Sequence, residues 1–525
     1  MQIRHRATAP TGKLSLNTTT RLLITSLLFA SCAAAPKSEA PDSLDYLYKD
    51  LPFEMAHVCM PSIPSLEVSI KDFGGNGNGT ADNTDAFVKA VDYLSSRGGG
   101  HLIVPEGIWF TGPFMLKSNI DLHVEPLAIV IFDPDTKRYP IVNTVFEGLD
   151  TRRCDAPIHA DGAHDIAITG GGVIDGNGGS WRAVKKAKVN SGEWKALLAS
   201  GGVLSEDGKQ WFPSESYKQG FDASVMNVPP KDFTESQYEE IRDFLRPELV
   251  ALRNCERVLL EDCVFQNSPS WNLHPLMCRD VIIKGVTVRN PYQAQNGDGI
   301  DLDSCDGSLI IDSSFDVGDD GICIKSGKDE DGRRRGIPCR NLIVDNCTVF
   351  HGHGGFVIGS EMSGGVENMM VRNCRFLGTD VGLRFKSARG RGGVVRNIHA
   401  DNIYMTDIIT EPVLFDLHYT GVSAVEAAAK GVKAENEAFE VNEGTPEFRD
   451  ITISNIRCNG AGRAMYFNGL PEMPVKNVTI TSCTITSRKG IEIHWAENVN
   501  IRGIDVTSSE GESVITDNVT NVTIK

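Results

Sequence analysis

The sequence predicts an all-β fold, a single-stranded right-handed parallel β-helix in which every coil contributes short parallel strands. Three observations predict it: a short strand-like unit recurs along the chain, turns rich in Gly, Asn and Asp separate the units, and Cys, Val and Ile exchange at one position of the unit. Only 7% of the residues are aromatic and 52 are glycine, which favours short strands and tight corners over a helical bundle.

The repeat unit consists of two apolar residues two positions apart, then a polar residue and a further apolar position. Its first apolar residue recurs at Val258, Val281, Leu309, Leu342, Met369, Ile398, Ile451, Val478, Val499 and Val522. The successive gaps are 23, 28, 33, 27, 29, 53, 27, 21 and 23 residues, a period typical of solenoids. The gap of 53 residues represents either two ordinary coils or one coil with an insertion. A leucine-rich repeat is disfavoured because the units lack a leucine skeleton.

The 13 cysteines are scattered and form no CxxC pair, so they do not indicate a metal cage. Four of them lie five residues after the first apolar residue of their unit, where other units have Val or Ile; these positions are Cys263, Cys347, Cys374 and Cys483, against Val286, Ile403, Ile456 and Ile504. We therefore expect buried thiols that pack as small apolar side chains. The sequence offers no disulfide framework.

The net charge of -17 argues against a nucleic-acid partner, because proteins that bind nucleic acids present basic surfaces. It is compatible with an anionic substrate, since a local cationic cleft can lie on an acidic surface.

Residues 1–40 are expected to be a leader rather than part of the fold. Basic residues precede the apolar run Leu22–Ala30 and the small residues Ser31–Ala35, as in a signal peptide. Cys32 follows a segment similar to a bacterial lipoprotein cleavage box, so two outcomes stay open: a lipid anchor at Cys32, or cleavage near Ala35. The apolar run is too short for a membrane-spanning helix. We expect an exported protein, in the periplasm, at the outer membrane of a bacterium as a lipoprotein, or secreted.

The remaining chain divides into an N-terminal extension, 41–65, and the β-helix domain, 66–525. Two segments interrupt the repeat: 183–246, which contains several aromatic residues, and 421–449, an acidic stretch with helical propensity. Long insertions in a solenoid often lie on the binding face. The alternative is that they only cap or stiffen the coil.

Candidate functional residues cluster in the central coils. Asn296 and Asp298 lie in NGDGID, Asp319 and Asp320 in GDDG, His353 in HGHGG, and Arg384 and Lys386 in GLRFKS. The steps from Asp298 to Asp320, to His353 and to Arg384 are 22, 33 and 31 residues, each about one coil. We expect these side chains to stack on neighbouring turns, about 4.8 Å apart.

Three carboxylates beside a cationic pair suit the hydrolysis of a glycosidic bond in a charged sugar. One carboxyl, its pKa raised by like-charged neighbours, protonates the leaving oxygen, and another activates water. Arg384 and Lys386 can hold a substrate carboxylate. The alternative is that NGDG and GDDG are ordinary corner turns. A calcium site is disfavoured because Lys325, His353 and the Arg384–Lys386 pair lie close by, so we expect no metal.

The ordered set NxD, DD, GHG and RxK resembles the glycoside hydrolases of family 28, the polygalacturonases. SIKDFGGNGNGTADNTDAF is similar to the N-terminal cap of that family, and GGGHLIVPEGIWFTGPFMLKSNIDLHVE and GGVIDGNGGSW are similar to its first coils. The resemblance runs from about residue 66 to the C-terminus. It implies an inverting hydrolase on a pectin-lyase-like solenoid, with no cofactor, that cleaves α-1,4-galacturonosyl bonds in polygalacturonate or pectin.

The resemblance also implies a role for each matching residue. Asp319 is then the general acid, Asp298 and Asp320 hold and activate the water, and His353 tunes or orients the acid. The implied substrate-binding residues are Asn296, Arg384, Lys386, Tyr419 of DLHYTG, and Lys325. The sequence departs from the family pattern at Gly297, where Thr is frequent, and at Gly321, where Cys is frequent.

The 183–246 insertion can close one end of a cleft, so we expect exo cleavage. The alternatives are an endo-polygalacturonase, a hydrolase of rhamnogalacturonan or of substituted pectin, a pectate lyase, and a non-catalytic pectin-binding solenoid. The Asp319–Asp320 pair argues against the rhamnogalacturonan branch.

Overall fold

The recurring units coil into a right-handed parallel β-helix, which confirms the predicted fold class. Strands of successive coils stack in register and form three parallel sheets along the solenoid. The right hand is the one that strand twist favours for connections between parallel strands of one sheet.

The structure is a computed structural model and describes residues 44–225, 227–419 and 437–525. Leu47–Lys525 forms one compact unit; of the other, Met1–Tyr46, only Leu44–Tyr46 is described. The expected leader with Cys32, and most of the predicted helical stretch in 421–449, lie outside the described residues. None of the helices in the described ranges is both long and apolar enough to cross a membrane.

Sheet 1 contains the strands that include the first apolar residues of the repeat. Its strands are Glu67–Ser69, Gly100–Val104, Ile120–Val124, His164–Thr169, Glu256–Glu261, Arg279–Lys284, Asp306–Ile311, Cys339–Asp345, Val366–Arg372 and Val475–Thr481. Sheet 2 follows after one corner of the coil. Its strands are Asn78–Asp82, Gly107–Thr111, Ala128–Phe132, Val173–Asp175, Val264–Gln266, Thr287–Arg289, Ser314–Asp316, Thr348–Phe350 and Arg375–Leu377.

Sheet 3 completes each coil and carries the candidate site. Its strands are Phe114–Met115, Ile158–Asp161, Val250–Arg253, Leu273–Leu276, Ile300–Asp303, Asp320–Lys325, Gly354–Ile358, Leu383–Lys386, Val413–Asp416 and Arg463–Asn468. Four long strands continue around corners and contribute to more than one sheet: Val394–Ile408, Glu447–Ala461, Thr484–Arg502 and Asp505–Ile524.

The register corrects one assignment of the repeat. Val281 pairs with Ser308, and Ser308 pairs with Leu342, so Ser308 rather than Leu309 occupies the first position of that unit. The assignment to Leu309 was wrong because Ser308, a buried serine, occupies a position where an apolar residue was expected. The long gap is also resolved: Ile398 pairs directly with Ile451, so the segment between them is a single coil with an insertion.

The cysteines behave as predicted. Cys263, Cys347, Cys374 and Cys483 are all buried as free thiols in the core that runs through the solenoid. Aromatic side chains also stack along this core; the Phe415 ring lies 4.5 Å from Phe385 and 4.6 Å from Phe467, centroid to centroid. Because each coil covers the apolar residues of the next, the core is continuous.

Asparagines form a ladder near the start of the sheet 1 strands. Asn368 donates to Asn341 at 3.0 Å, and Asn397 donates to Asn368 at 2.7 Å. All three have φ between 56° and 61°, the left-handed region that asparagine tolerates better than most residues. The ladder therefore turns the chain and links neighbouring coils at the same positions.

The described residues include five α-helices outside the coils of the solenoid. Helix α1, Thr84–Ser95, packs Phe87, Val91 and Leu94 into the core beside the first coils. The others are α2 (Ser191–Ala199), α3 (Glu215–Ala223), α4 (Glu235–Glu240) and α5 (Asp329–Arg335). Short 3-10 helices occur at Leu44–Tyr48, Ile70–Phe73, Thr136–Arg138, Gly178–Ser180, Lys186–Lys188 and Arg242–Phe244.

Two structures project beside sheet 3. Residues 183–246 contain α2 to α4 and an antiparallel sheet of Val184–Lys185, Val203–Leu204 and Gln210–Phe212. An antiparallel hairpin of Ile141–Phe146 and Leu149–Cys154 interrupts an earlier coil and was not predicted. Its Phe146 ring stacks on Trp271 at 4.7 Å, which fixes the hairpin against sheet 3.

Candidate active site

The candidate residues lie on the outer face of sheet 3, where backbone pairing aligns neighbouring coils. Ile300 pairs with Ile322, and Asp320 pairs with Gly354, so Asp298 and Asp320 lie one above the other. The backbone N–H of His353 donates to the carbonyl of Asp319 at 2.8 Å, which places these two side chains on adjacent turns. The structure thus brings together groups that are up to 55 residues apart in the chain, from 298 to 353.

Two cations hold Asp320. Lys386 Nζ lies 2.7 Å from its Oδ2, and Arg384 Nη1 lies 3.3 Å from its Oδ1. The Asp320 side chain is only 2% exposed, so the pair is almost completely removed from water. Burial raises the pKa of Asp320, but the charges of Lys386 and Arg384 more than offset this effect and lower it. Asp320 is therefore an ionised carboxylate.

Asp319 faces His353 across 3.2 Å, from Oδ1 to Nδ1. Burial raises the pKa of Asp319, but the hydrogen bond and charge of His353 lower it further. The same contact raises the pKa of His353. Asp319 is the most exposed of the three aspartates, with 24% of its side chain accessible, so it is the one that a substrate can touch.

Asp298 differs from its neighbours in charge state. It is buried, its Oδ1 has no hydrogen-bond partner among the described residues, and burial together with Asp301 and Asp319 raises its pKa well above the ordinary value. Of the three aspartates, Asp298 is therefore the one whose protonated form the site favours. The sequence predicts a raised pKa within the cluster and a proton on Asp319; in the structure, the pKa of Asp319 is lowered because His353 pairs with it.

The other predicted residues surround this cluster. Tyr419 lies below the cationic pair, with its ring centroid 4.8 Å from Lys386 Nζ and 5.4 Å from the Arg384 guanidinium carbon. Asn296 accepts from Arg246 at 2.9 Å and donates to Glu147 at 3.3 Å. These contacts hold both residues at the rim of the site.

Lys325 lies beneath the surface. Its ammonium is 3.1 Å from Glu361 and 3.3 Å from Asp301, and the residue is 4% exposed. Lys325 therefore balances the negative charge of these buried carboxylates. Its direct contact with a substrate stays a prediction.

Two pockets meet at His353. The insertion-side pocket, about 210 Å³, is lined by Lys185, Lys188, Asn227, Tyr292, Gln293, Ala294, Gln295, Asn296, Gly318, Asp319 and His353. The C-terminal pocket, about 390 Å³, is lined by His353, Asp380, Val381, Arg384, Thr410, Glu411, Leu414, Asp416, Arg463 and Tyr466. Together they form a cleft across sheet 3 with His353 at its centre and Asp319 beside it.

Steric packing explains why glycine occupies the two positions, 297 and 321, that depart from the family pattern. A Cβ on Gly321 would lie 2.6 Å from Val349 Cγ1, and a Cβ on Gly297 would lie 2.7 Å from the Ala294 side chain. Both distances are shorter than van der Waals contact, so the surrounding packing excludes a larger residue at these positions.

Several residues of the site escaped the sequence analysis. Glu147, at the tip of the hairpin, is buried and accepts from Asn227 at 2.9 Å as well as from Asn296. Lys188 Nζ, from the insertion, lies 3.5 Å from His353 Nε2, and Asp380 Oδ2 lies 3.8 Å from the same nitrogen. No local motif marks Glu147 or Lys188, because each reaches the site from a segment outside the repeat register.

Asp298, Asp320 and Cys323 place one ligand atom each within 4.8 Å of one another, a spacing that a metal ion could use. Asp320 is already neutralised by Lys386 and Arg384, and burial raises the pKa of the Cys323 thiol. A bound cation would lie beside two positive side chains, so this donor set is poorly suited to a metal.

Three neighbouring carboxyls whose pKa values are shifted in opposite directions, and a flanking pair of cations, lie in a cleft on a parallel β-helix, an arrangement that suits a glycoside hydrolase. The comparisons with known proteins agree. The profile of "Glycosyl hydrolases family 28" matches residues 233–501, so the chain belongs to that family.

Similar proteins support the same assignment. A "Probable polygalacturonase" of Vitis vinifera is 29% identical over 442 residues, which cover 81% of this chain and 76% of the relative. An "Exo-poly-alpha-D-galacturonosidase" of Dickeya chrysanthemi is 27% identical over 368 residues, which cover 68% of this chain and 58% of the relative. The crystal structure of a hyperthermoactive exopolygalacturonase from Thermotoga maritima superimposes with a TM-score of 0.68 and 32% sequence identity. The match covers 88% of this chain and 94% of the Thermotoga chain.

Proposed function

We propose that this family 28 enzyme hydrolyses α-1,4-galacturonosyl bonds of polygalacturonate or de-esterified pectin with inversion, releasing units from the chain end. The observation that carries the proposal is the cleft itself: Asp319 lines the insertion-side pocket beside His353, which lines both pockets, and Lys188, Arg384 and Lys386 place positive charge on both sides of His353. Cations in this arrangement suit a sugar chain with a carboxylate on every residue.

Asp319 donates the proton to the glycosidic oxygen in this mechanism. It is the accessible carboxyl of the three, and it lines the insertion-side pocket beside His353. Its pKa is low in the free protein because His353, Lys386 and Arg384 are close. Substrate carboxylates that bind these cations offset their charge and exclude water, and both effects raise the pKa of Asp319 toward that of an acid catalyst.

Asp320 and Asp298 act on the water. Asp320 is ionised and held by Lys386 and Arg384, so it can accept a proton from water as the base. The pKa of Asp298 is raised well above its ordinary value, and Asp298 lies within 4.8 Å of Asp320, measured between carboxylate oxygens. The raised pKa disfavours a state in which all three neighbouring carboxyls are charged together.

Exo cleavage is supported by the insertion and the hairpin. Lys185, Lys188 and Asn227 of the insertion line the smaller pocket, and Glu147 of the hairpin contacts Asn227 and Asn296 at its edge. A pocket of about 210 Å³ suits a chain end rather than a continuing polymer. The Dickeya and Thermotoga relatives are named as exo-acting enzymes. An "Endo-polygalacturonase" of Pectobacterium carotovorum is 25% identical, so endo cleavage is the second candidate.

Time-resolved product analysis of de-esterified polygalacturonate tests the proposal. We expect one small product from the first time point, an inverted anomer at the new reducing end, and no rise in ultraviolet absorbance. An early ladder of mixed oligomers would show endo cleavage instead, and an unsaturated product that absorbs in the ultraviolet would show a lyase. Asp319→Asn serves as the inactive control.

We further propose that residues 1–40 direct export and are removed. Mass spectrometry of the mature N-terminus in a bacterial host distinguishes the two forms. Cleavage before Cys32 with an added diacylglycerol mass indicates a lipoprotein, cleavage near Ala35 indicates a free exported enzyme, and an intact leader on active protein would refute both.

A further inference from the structure

Lys188 has the environment of an anion-binding group, and the described residues supply no anionic partner for it. Its ammonium lies 4.1 Å from the centre of the Tyr292 ring and 3.5 Å from His353 Nε2. No carboxylate oxygen of the described residues lies within ion-pair distance of it. Lys386, by contrast, is already paired with Asp320 at 2.7 Å.

The surrounding pocket adds further donors. The rim residue Lys185 is exposed, and the Gln295 amide nitrogen is buried without a hydrogen-bond partner among the described residues. A buried amide donor without a partner indicates a place for an acceptor. Lys188 and a protonated His353 repel one another at 3.5 Å, and Asp380, which lies 3.8 Å from the same nitrogen of His353, offsets part of this repulsion. An anion bound beside Lys188 offsets the remainder.

The position of Lys188 relative to Asp319 identifies which part of a substrate it can reach. His353 contacts Asp319 through Nδ1 at 3.2 Å and Lys188 through Nε2 at 3.5 Å, so one imidazole ring separates the two contacts. A sugar whose glycosidic oxygen lies at Asp319 therefore extends its substituents toward Lys188. Because residues of the insertion line this pocket, we assign it to the terminal sugar.

We propose that Lys188 is a specificity-determining residue, which binds the carboxylate of the non-reducing-terminal galacturonate and thereby requires that this sugar be acidic and unesterified. This inference rests on the proposed function, and it assigns to the insertion the recognition of charge as well as the closure of the cleft. The carboxylate is held by the Lys188 ammonium, with the Gln295 amide as a second donor.

The test compares trigalacturonate with the same trisaccharide methyl-esterified only at its non-reducing-terminal carboxyl. For the wild type, we expect kcat/KM to be higher for the acid. In Lys188→Gln, the ratio of kcat/KM for acid over ester falls by about 10- to 100-fold, the range expected for a hydrogen bond to a charged group. Lys188→Arg restores most of the ratio because it keeps the charge.

The matched control is Lys186→Gln, an exposed lysine of the same 3-10 helix whose ammonium lies over Trp194 at 5.8 Å, away from the cleft. We expect it to keep the wild-type ratio. An equal loss on acid and ester in Lys188→Gln, with unchanged thermal unfolding, would overturn the inference, because Lys188 would then only position His353. If the wild type cleaves neither trisaccharide nor polygalacturonate, the proposed function itself fails, which is a distinct result.

Discussion

Removal of Lys386 tests the charge balance of the site most directly. Lys386 and Asp320 form a buried ion pair at 2.7 Å, with side chains 7% and 2% exposed. Loss of one partner of a buried pair costs about 3 to 5 kcal/mol, because the other charge stays out of water. Arg384 continues to face Asp320 at 3.3 Å, so we expect the lower end, about 3 kcal/mol, for Lys386→Met.

The pH dependence follows from the sign of the pKa change. Lys386 and Arg384 lower the pKa of Asp320 in the folded protein, so the ion pair stabilises the fold above the unfolded pKa of this carboxyl. That contribution disappears as the pH falls through the folded pKa. The difference between wild type and Lys386→Met is therefore largest at neutral pH and shrinks in acid.

Urea unfolding followed by circular dichroism, at neutral pH and in acid, measures this difference. Two comparisons make it specific. Lys117→Met removes an exposed ion pair of the same length, 2.7 Å to Asp92, and is expected to cost less than about 1 kcal/mol. The triple variant Asp320→Asn/Arg384→Met/Lys386→Met removes all three charges together and is expected to recover much of the lost stability. A Lys386→Met protein as stable as wild type, or a triple variant as unstable as the single one, would refute the reasoning.

Three further predictions concern the acid, its titration and the core. Asp319→Asn should lower the hydrolysis rate of polygalacturonate by at least about 10²-fold while calorimetry still detects oligogalacturonate binding; full activity would contradict its role as the acid. Substrate carboxylates offset the charges of His353, Lys386 and Arg384 that lower the pKa of Asp319. The alkaline limb of kcat should therefore lie at higher pH than that of kcat/KM, and coincident limbs would argue against this coupling. Ser308 is fully buried, and its hydroxyl has no partner among the described residues, so Ser308→Val should raise the free energy of unfolding by about 1 kcal/mol; a lower value in urea would contradict this.

Much of the fold was predictable because each coil of a solenoid repeats the same local interactions. The apolar positions, the asparagine corners and the Cys–Val–Ile exchange recur at each coil, so the parallel β-helix and its buried thiols followed from spacing alone. The register failed only at Ser308, where a polar residue broke the apolar pattern. The hairpin around Glu147 also escaped, since it forms no repeat and pairs only with itself.

The sequence by itself determined which groups share the strip on sheet 3. Asp298, Asp320 and His353 recur about one coil apart, and the backbone pairing of a parallel sheet turns that spacing into proximity. It could not determine how charge is distributed among these groups. That depends on the burial of Asp298, on the contact between Asp319 and His353, and on the cations that hold Asp320.

Only the tertiary structure decided what closes the cleft. Lys188 and Glu147 come from an insertion and a hairpin that follow no period, and they reach the site 165 and 149 residues away from His353 and Asn296 in the chain. Side chains delivered by irregular segments depend on packing over the whole domain, as when Phe146 stacks on Trp271, and no local pattern encodes that contact. The repeat thus determined the catalytic strip, and long-range packing determined its charge state and its closed end.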